Sequence, residues 1–339
     1  MPDLPLFGPD ADPAEALADL LAAGLGDGLP VVPPSAARLA AMVAGVGGPD
    51  AVLGQVPPLF GDLTVRAVAW YAVLAGCRPA ELPVVVAAAR AALEPEFNLL
   101  GIATTTGSPA VAVLVHGPVA SSLGLTPVGG LGPGARANAC VGRAVALALA
   151  GIGGARAGLT DMATIGQPGK YTFCTASLPG PFPPLAAGDA VTVVGASGVV
   201  EVLPASGYRT PAEVLAPAAA ALAGVALAAG DPTRFRDGEQ FLLLPPELAG
   251  FLDAHGWAGE RAAEFLFAEG NALLAAAAAR LSEVSSAYAA GDLRVAASAD
   301  DVRVVVTGGL GVKMALLPTW MGGTRSVTAA VRALHDLTP

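Results

Sequence analysis

Lysine is nearly missing from this chain: only Lys170 and Lys313 occur in 339 residues. Charged residues of all kinds reach 14%, against roughly a quarter in ordinary soluble proteins. The 18 basic residues face 28 acidic ones, for a formal net charge of −10. No basic stripe runs along any segment, so nucleic acid is not an expected partner. The three cysteines, Cys77, Cys140 and Cys174, are too widely spaced for a disulfide framework or a CxxC metal pair. The three histidines, His116, His255 and His335, are scattered, with no HxH or HxxxH and no clustered carboxylates. No metal and no organic cofactor is therefore expected. Also missing are GK[ST] after a glycine loop, GxGxxG after a clear strand and a GxSxG elbow, so no nucleotide class and no serine-hydrolase centre is specified. The first residues, MPDLPLFGPDADPAEAL, place acids and prolines where a signal peptide needs a basic start and an apolar run. The longest apolar stretches, around Pro217–Ala229 and Ala272–Leu281, are alanine-rich and flanked by charges, which reads as buried helix rather than membrane span. The expected location is the cytoplasm.

What is abundant is apolar: 54% of the residues are hydrophobic, with 43 glycines and 30 prolines. A chain this long buries a sizeable core. A surface so poor in charge is expected to be partly covered, most simply in a homo-oligomer.

The pattern along the chain alternates helical and strand signals, the mark of an α/β fold with mixed sheets and flanking helices in two domains or lobes. Helices are expected over Asp12–Gly24, Ser35–Val46, Thr64–Ala75, Glu81–Leu93, Asn138–Ala150, Thr210–Ala229, Pro246–His255, Glu260–Leu281 and Ser326–Leu337. Strands are expected at Ala110–His116, at Phe241–Leu244, at Val302–Thr307, and as two strands around a glycine turn in Val191–Leu203. The run PGPFPPL, Pro179–Leu185, interrupts regular structure. It divides an N-terminal α/β domain, 1–182, from a C-terminal one, 183–339.

Chemistry-bearing residues concentrate between Gly129 and Cys174. In GGLGPGARANAC, the glycines Gly132 and Gly134 let backbone N–H groups turn toward one point before a helix start. Arg136 and Arg143 add bidentate donors for a carboxylate or phosphate. The competing reading is a tight turn that packs helix on sheet. With Asn138 as cap, Cys140 falls in the first helical turn beside Arg136, where a thiol ionises readily; a buried small core residue is the alternative. In GQPGKY, Lys170 is held by a turn and suits an anion contact, a general base or a Schiff-base amine, and Tyr171 suits proton donation or packing. Thr105 and Thr106 belong to a hydroxyl run ahead of the Ala110 strand that either binds anions or caps elements.

Six stretches together resemble an uncharacterised bacterial protein family. They are DGLPVVPPS (Asp27–Ser35), AGCRPAELPVVVAA (Ala75–Ala88), GPGARANACVGRA (Gly132–Ala144), IGQPGKYTFC (Ile165–Cys174), PPELAGFLDAHGW (Pro245–Trp257) and VVTGGLG (Val305–Gly311). The family is related to the large partners of small thiol or selenol proteins bearing a UGSC or CGSC motif. The resemblance implies such a small protein as a separate chain, and a site framework of Gly132, Gly134, Arg136, Asn138, Arg143, Gly169 and Lys170. The chain departs from the family pattern at Cys140, where relatives carry threonine, at Thr175–Gly180 and at Gly256–Glu260.

The leading expectation is a metal- and cofactor-independent enzyme on a small carboxylate-bearing metabolite, of lyase, elimination or hydratase type, serving a specialised biosynthesis. In it Lys170, Tyr171 and Cys140 would be catalytic. Gly132, Gly134, Arg136, Asn138, Arg143, Thr105 and Thr106 would bind substrate. The alternatives are a scaffold subunit that docks a small thiol or selenol redox protein, and a non-catalytic anion-binding protein.

Overall fold

The run AVAVLVH has no polar residue before its last position, and it forms a strand buried almost throughout. It is one of ten strands and ten α-helices in a computed structural model that describes residues 4–132, 134–289 and 291–336. In chain order these are α1 (Pro13–Ala22), α2 (Ala36–Met42), β1 (Val52–Val56), β2 (Gly61–Thr64), α3 (Val65–Leu74), α4 (Leu82–Ala91), α5 (Leu99–Thr104), β3 (Ala110–His116), α6 (Pro118–Ser122) and α7 (Arg136–Gly153). There follow β4 (Cys174–Ala176), β5 (Ala190–Ala196), β6 (Val200–Val202), α8 (Pro211–Ala228), β7 (Gln240–Leu244), α9 (Pro246–Ala254), α10 (Arg261–Leu281), β8 (Val302–Val306), β9 (Met314–Pro318) and β10 (Val327–Ala330). The class is α/β with mixed sheets and flanking helices.

The chain packs as two interleaved units. One holds the described residues of Met1–Ala176, Ala186–Val194 and Val327–Pro339; the other holds Ser177–Leu185 and Gly195–Ser326. The expected division after residue 182 falls inside the crossing segment Ser177–Leu185. The first unit contains the β1–β2 hairpin and a sheet of order β10-β5-β3-β4. In that sheet β3 and β4 run parallel, with Val113 opposite Cys174, and β10 runs antiparallel to β5. The helices α3 and α4 are buried nearly all round, as expected of apolar helices with no polar face to offer water. The second unit contains a sheet of order β6-β9-β7-β8, whose β7–β8 pair is parallel. A core of Leu215, Leu222, Phe235, Leu242, Leu248, Leu266 and Leu316 joins that sheet to α8, α9 and α10.

Both α8 and α10 are long and apolar enough to cross a membrane. Each instead lays one face into this core, and α10 carries Arg261, Glu264, Glu269, Asn271 and Arg280 along its length.

Two expectations are corrected here. Ser326–Leu337 is not a helix: Val327–Ala330 is an edge strand paired with β5, followed by a single 3₁₀ turn at Leu334–Asp336. Leu337 lies outside the described residues. The helical spacing of SVTAAVRAL is real, but Val327 and Thr328 are β-branched, and pairing with an open sheet edge outweighs a weak local preference. The two strands of Val191–Leu203 do form, but they enter different sheets.

Helix α7 packs through its glycines. A Cβ at Gly142 would meet the backbone of Phe173 at 2.8 Å, and one at Gly151 would run into the Tyr71 phenol. Gly154, at φ 73°, ends the helix in the left-handed conformation. Tyr71 is wholly buried between α7 and Trp70, whose ring it meets edge-on at 4.8 Å. Its hydroxyl finds no hydrogen-bond partner among the described residues, and burial raises its pKa. An unsatisfied buried hydroxyl costs free energy, so Tyr71→Phe should leave stability unchanged or raise it by about 1 kcal/mol in urea unfolding. Gly151→Ala should lower it by roughly 2 kcal/mol or more, as overpacking does.

A second buried polar group crosses the first sheet. His116 Nε2 and Thr192 Oγ1 share a 2.7 Å hydrogen bond, and Thr192 shares another of 2.7 Å with Thr328 on the edge strand. Burial pushes the imidazole down from 6.5 to about 4. The unfolded chain therefore takes up this proton before the folded one does. Stability should be full above pH 6.5, fall as pH drops from 6.5 toward 4, and level off below, by about 3 kcal/mol in all. Unfolding midpoints measured across that window, with His116→Asn as the control lacking this slope, test the assignment.

Candidate functional site

Helix α7 begins at Arg136, after an N-cap, Ala135, that has no side chain able to cap it. Among the described residues no side-chain cap closes the start of this 18-residue helix. This corrects the role expected for Asn138. It lies three residues inside the helix, fully buried, and its amide is spent on backbone. Its Oδ1 accepts from Thr126 N at 2.9 Å, and its Nδ2 donates to Thr126 O at 2.9 Å and to Cys174 O at 3.1 Å. Asn138 is thus a clamp joining the glycine turn, α7 and β4, with both of its amide hydrogens committed to backbone oxygens.

The glycine turn is partly closed on itself. Gly132 N donates to Gly129 O at 2.9 Å, so that amide is not aimed at a guest. Gly134 has φ 37°, and a Cβ there would press on the backbone of Gly129 and Gly130 at 3.1 and 3.2 Å. A glycine is required there by both conformation and space.

Both arginines are engaged by carboxylates, which the isolated motif did not disclose. Arg143 Nε and Nη2 grip the two Asp27 oxygens at 2.8 and 2.7 Å, while Nη1 donates to Pro30 O at 2.8 Å and Nη2 also donates to Leu29 O at 3.1 Å. This guanidinium is shielded, and its charge is cancelled. In this geometry Arg143 anchors the DGLP loop to α7. Arg136 forms a close ion pair with Glu81 and donates to Gly76 O at 3.1 Å. Glu81 is almost completely buried and also accepts from Arg78 N at 2.8 Å. Arg136 nevertheless stays 40% exposed. Glu81 first, and Cys140 after it, hold its guanidinium firmly protonated.

Cys140 lies four residues beyond Arg136, on the same face of α7 and in its second turn rather than the first. It is half-buried. Its sulfur would stand 3.6 Å from a Cβ placed at Gly76, the residue before Cys77. Cys77 is also half-buried, and Cys140 and Cys174 are both near enough to perturb it. Burial, then Glu81, pushes the Cys77 thiol well up. Cys174 is buried beside Gly142, and its thiol is pushed up to about 12 by burial. Cysteines scattered in sequence thus gather around the first half of α7. Among the described residues no group of His, Cys, Asp and Glu is arranged to hold a metal.

Lys170 and the hydroxyl run form a second cluster. Lys170 Nζ donates to Asp161 Oδ2 at 2.5 Å, so the lysine is paired rather than alone. Tyr171 beside it is largely exposed. Thr105 Oγ1 accepts from Gly107 N at 3.0 Å, and Thr106 O accepts from Thr164 N at 2.9 Å and from its hydroxyl at 3.1 Å. These threonines anchor the loop that leads to Lys170. Thr172, two residues beyond Lys170, donates from Oγ1 to Ala139 O at 2.9 Å and so ties this strand of chain to α7.

Sequence reasoning passed over Glu81, Asp27, Asp161 and Cys77 as site residues. Each is an ordinary acid or thiol in its own stretch, and its meaning comes from a partner 9 to 116 residues away. One signal was present: Asp27, Cys77 and Glu81 lie inside stretches already singled out for the family resemblance. Comparison with protein-family models and with curated proteins finds no match, so the geometry carries the functional reading alone.

Removing Arg136 strands a buried carboxylate, a loss not offset elsewhere. Arg136→Ala should cost about 2 kcal/mol, and Arg136→Ala with Glu81→Gln should recover most of it. A double-mutant cycle in urea checks this, and additive losses would contradict the pairing.

Proposed function

We propose that the protein is a metal- and cofactor-independent enzyme acting on a small carboxylate-bearing metabolite, by elimination, as a lyase, or as a hydratase. The observation that carries this reading is the placement of Cys140 one turn after a partly exposed Arg136, on one face near the start of α7. In elimination beside a carboxylate, a base takes the neighbouring proton while a leaving group departs one carbon further on. The first N–H groups of α7 and the outer edge of the Arg136 guanidinium suit the carboxylate. Cys140, one turn along, suits the proton or the carbon that reacts. Glu81 fixes the guanidinium plane, which favours recognition by direction over recognition by charge. Gly132 and Gly134 shape the approach, and Lys170 and Tyr171 serve proton transfer from the adjoining loop. The proposal includes a cytoplasmic location, a role in a biosynthetic route and a homo-oligomeric state. The exposed side chains Leu59, Phe60, Leu159, Met162 and Ile165 support the last point.

A second reading is favoured by the gathering of cysteines: a large subunit that docks a small thiol or selenol protein, in keeping with the resemblance to partners of UGSC-motif proteins. Co-expression with a CGSC protein and measurement of a stable complex separates it from the first.

The enzyme reading predicts that Cys140 reacts with iodoacetamide at neutral pH at least about tenfold faster than Cys77. It predicts that mass spectrometry of the native protein finds a retained small acid, lost in Cys140→Ser or Arg136→Lys. Equal inertness of the two thiols, with no retained acid, returns Cys140 to a packing role.

A further inference from the structure

We infer that the outer edge of β10 is the contact through which two copies of this chain join, β10 of one pairing antiparallel with β10 of the other. This contact rests on the homo-oligomeric state proposed above and names the surface that builds it. Strand β10 is one border of the β10-β5-β3-β4 sheet. Val331 N donates to Asp189 O at 2.9 Å, and the same register sets Ala329 opposite Val191 and Val327 opposite Val193. Bonded and non-bonded pairs alternate along an antiparallel ladder. Val327, Ala329 and Val331 therefore turn their N–H and C=O groups toward β5, while Thr328 and Ala330 turn theirs away from it. Thr328 and Ala330 are exposed, and among the described residues their outward backbone groups have no partner. Sheet borders are ordinarily guarded by lysine, proline, a bulge or an inward charge. Val327–Val331 reads VTAAV and has no such guard, and its register with β5 runs without a shift.

A second copy fits this border because the strand is complementary to itself. A two-fold axis at Ala329 sets Thr328 against Ala330 of the partner copy, and Ala330 against Thr328 of the partner copy. These are the two positions on each strand whose groups point outward. Each Thr328 N–H then donates to an Ala330 carbonyl, and each Ala330 N–H donates to a Thr328 carbonyl, so every outward group in the strand is satisfied. Ala329 meets its own copy across the axis, and Val327 meets Val331. No charge lies within these five residues, so the pairing opposes no like charges. The register is also defined. A slip of one residue sets outward groups against inward ones. A slip of two toward Ser326 meets an N–H already donated to Glu239. A slip of two the other way brings the two copies of Arg332 closer together, which costs free energy. An isologous contact of this kind uses one patch on both copies. It makes one eight-stranded sheet in which β10 is no longer a border.

Gel filtration with light scattering on the full-length protein measures the state. Wild type should show an even multiple of the chain mass. Ala330→Pro removes only an outward N–H, which an edge position tolerates, and should halve that mass with an unchanged circular dichroism spectrum. A covalent test reads the register itself. The Cα atoms of a non-hydrogen-bonded antiparallel pair lie about 4.5 Å apart, within disulfide reach. Ala329→Cys, oxidised and digested with trypsin without reduction, should therefore yield the peptide Ser326–Arg332 linked to its own copy. Ala330→Cys, whose two copies stand diagonally and beyond that reach, should yield at least about tenfold less. A monomeric wild type overturns both this contact and the homo-oligomeric state. An oligomer whose mass Ala330→Pro leaves unchanged, or one whose Ala329→Cys variant gives no self-linked peptide, overturns the β10 contact and leaves the oligomeric state standing. If Ala330→Pro misfolds, the Ala329→Cys result decides alone.

Discussion

Two ion pairs on one helix hold the first unit in its working shape. Arg143 to Asp27 and Arg136 to Glu81 each join α7 to chain more than fifty residues earlier. The segments they hold have little structure of their own. Residues 27–35 carry three prolines and no helix or strand, and the turn at Gly76–Arg78 is a bend between two buried helices. Charge-assisted bidentate bonds are directional, so they fix position where apolar packing alone fixes only depth. A buried carboxylate is tolerable because its partner never leaves. The same pairing decides what the arginines can do. Arg143 is fully committed to the fold, and only Arg136 keeps an open edge beside a thiol.

Much of the architecture was legible because strong local signals coincide with the final environment. Ala110–His116 is apolar up to its last residue, and both of its faces are covered. Thr210 with Glu213 is a capping box with both of its hydrogen bonds formed, and α8 starts where that box predicts. What could not be read locally were elements whose reasons lie elsewhere. The β1–β2 hairpin contains Gly54 and Gln55, and little in VLGQV marks a strand apart from its pairing with Gly61–Thr64. The β10 strand exists because β5 offers an edge. Around α7, motif reading took arginines that carry acid partners for unpaired ones. An arginine looks available until its acid is located, and no spacing rule links residue 143 to residue 27.

Four N-terminal stretches that are far apart in sequence come together in space. Asp27 comes from the first, Gly76, Cys77 and Glu81 from the second, the helix start with both arginines from the third, and Lys170 and Thr172 from the fourth. Asp27, Gly76, Glu81 and Thr172 each bond to α7. Glycines 142 and 151 let that helix sit close enough for these contacts, because any side chain there would push away Phe173 or Tyr71. Chemistry and close packing therefore constrain the same eighteen residues.

The placement of β10 has a consequence for how the protein is made. Its four residues follow the entire second unit along the chain, yet they complete the border of a sheet laid down much earlier. As the polypeptide leaves the ribosome, β5 must wait with an unpaired rim while about 130 further residues are synthesised. During that interval the nascent chain is most open to strand exchange with a neighbour, and a chaperone would find there its natural point of hold.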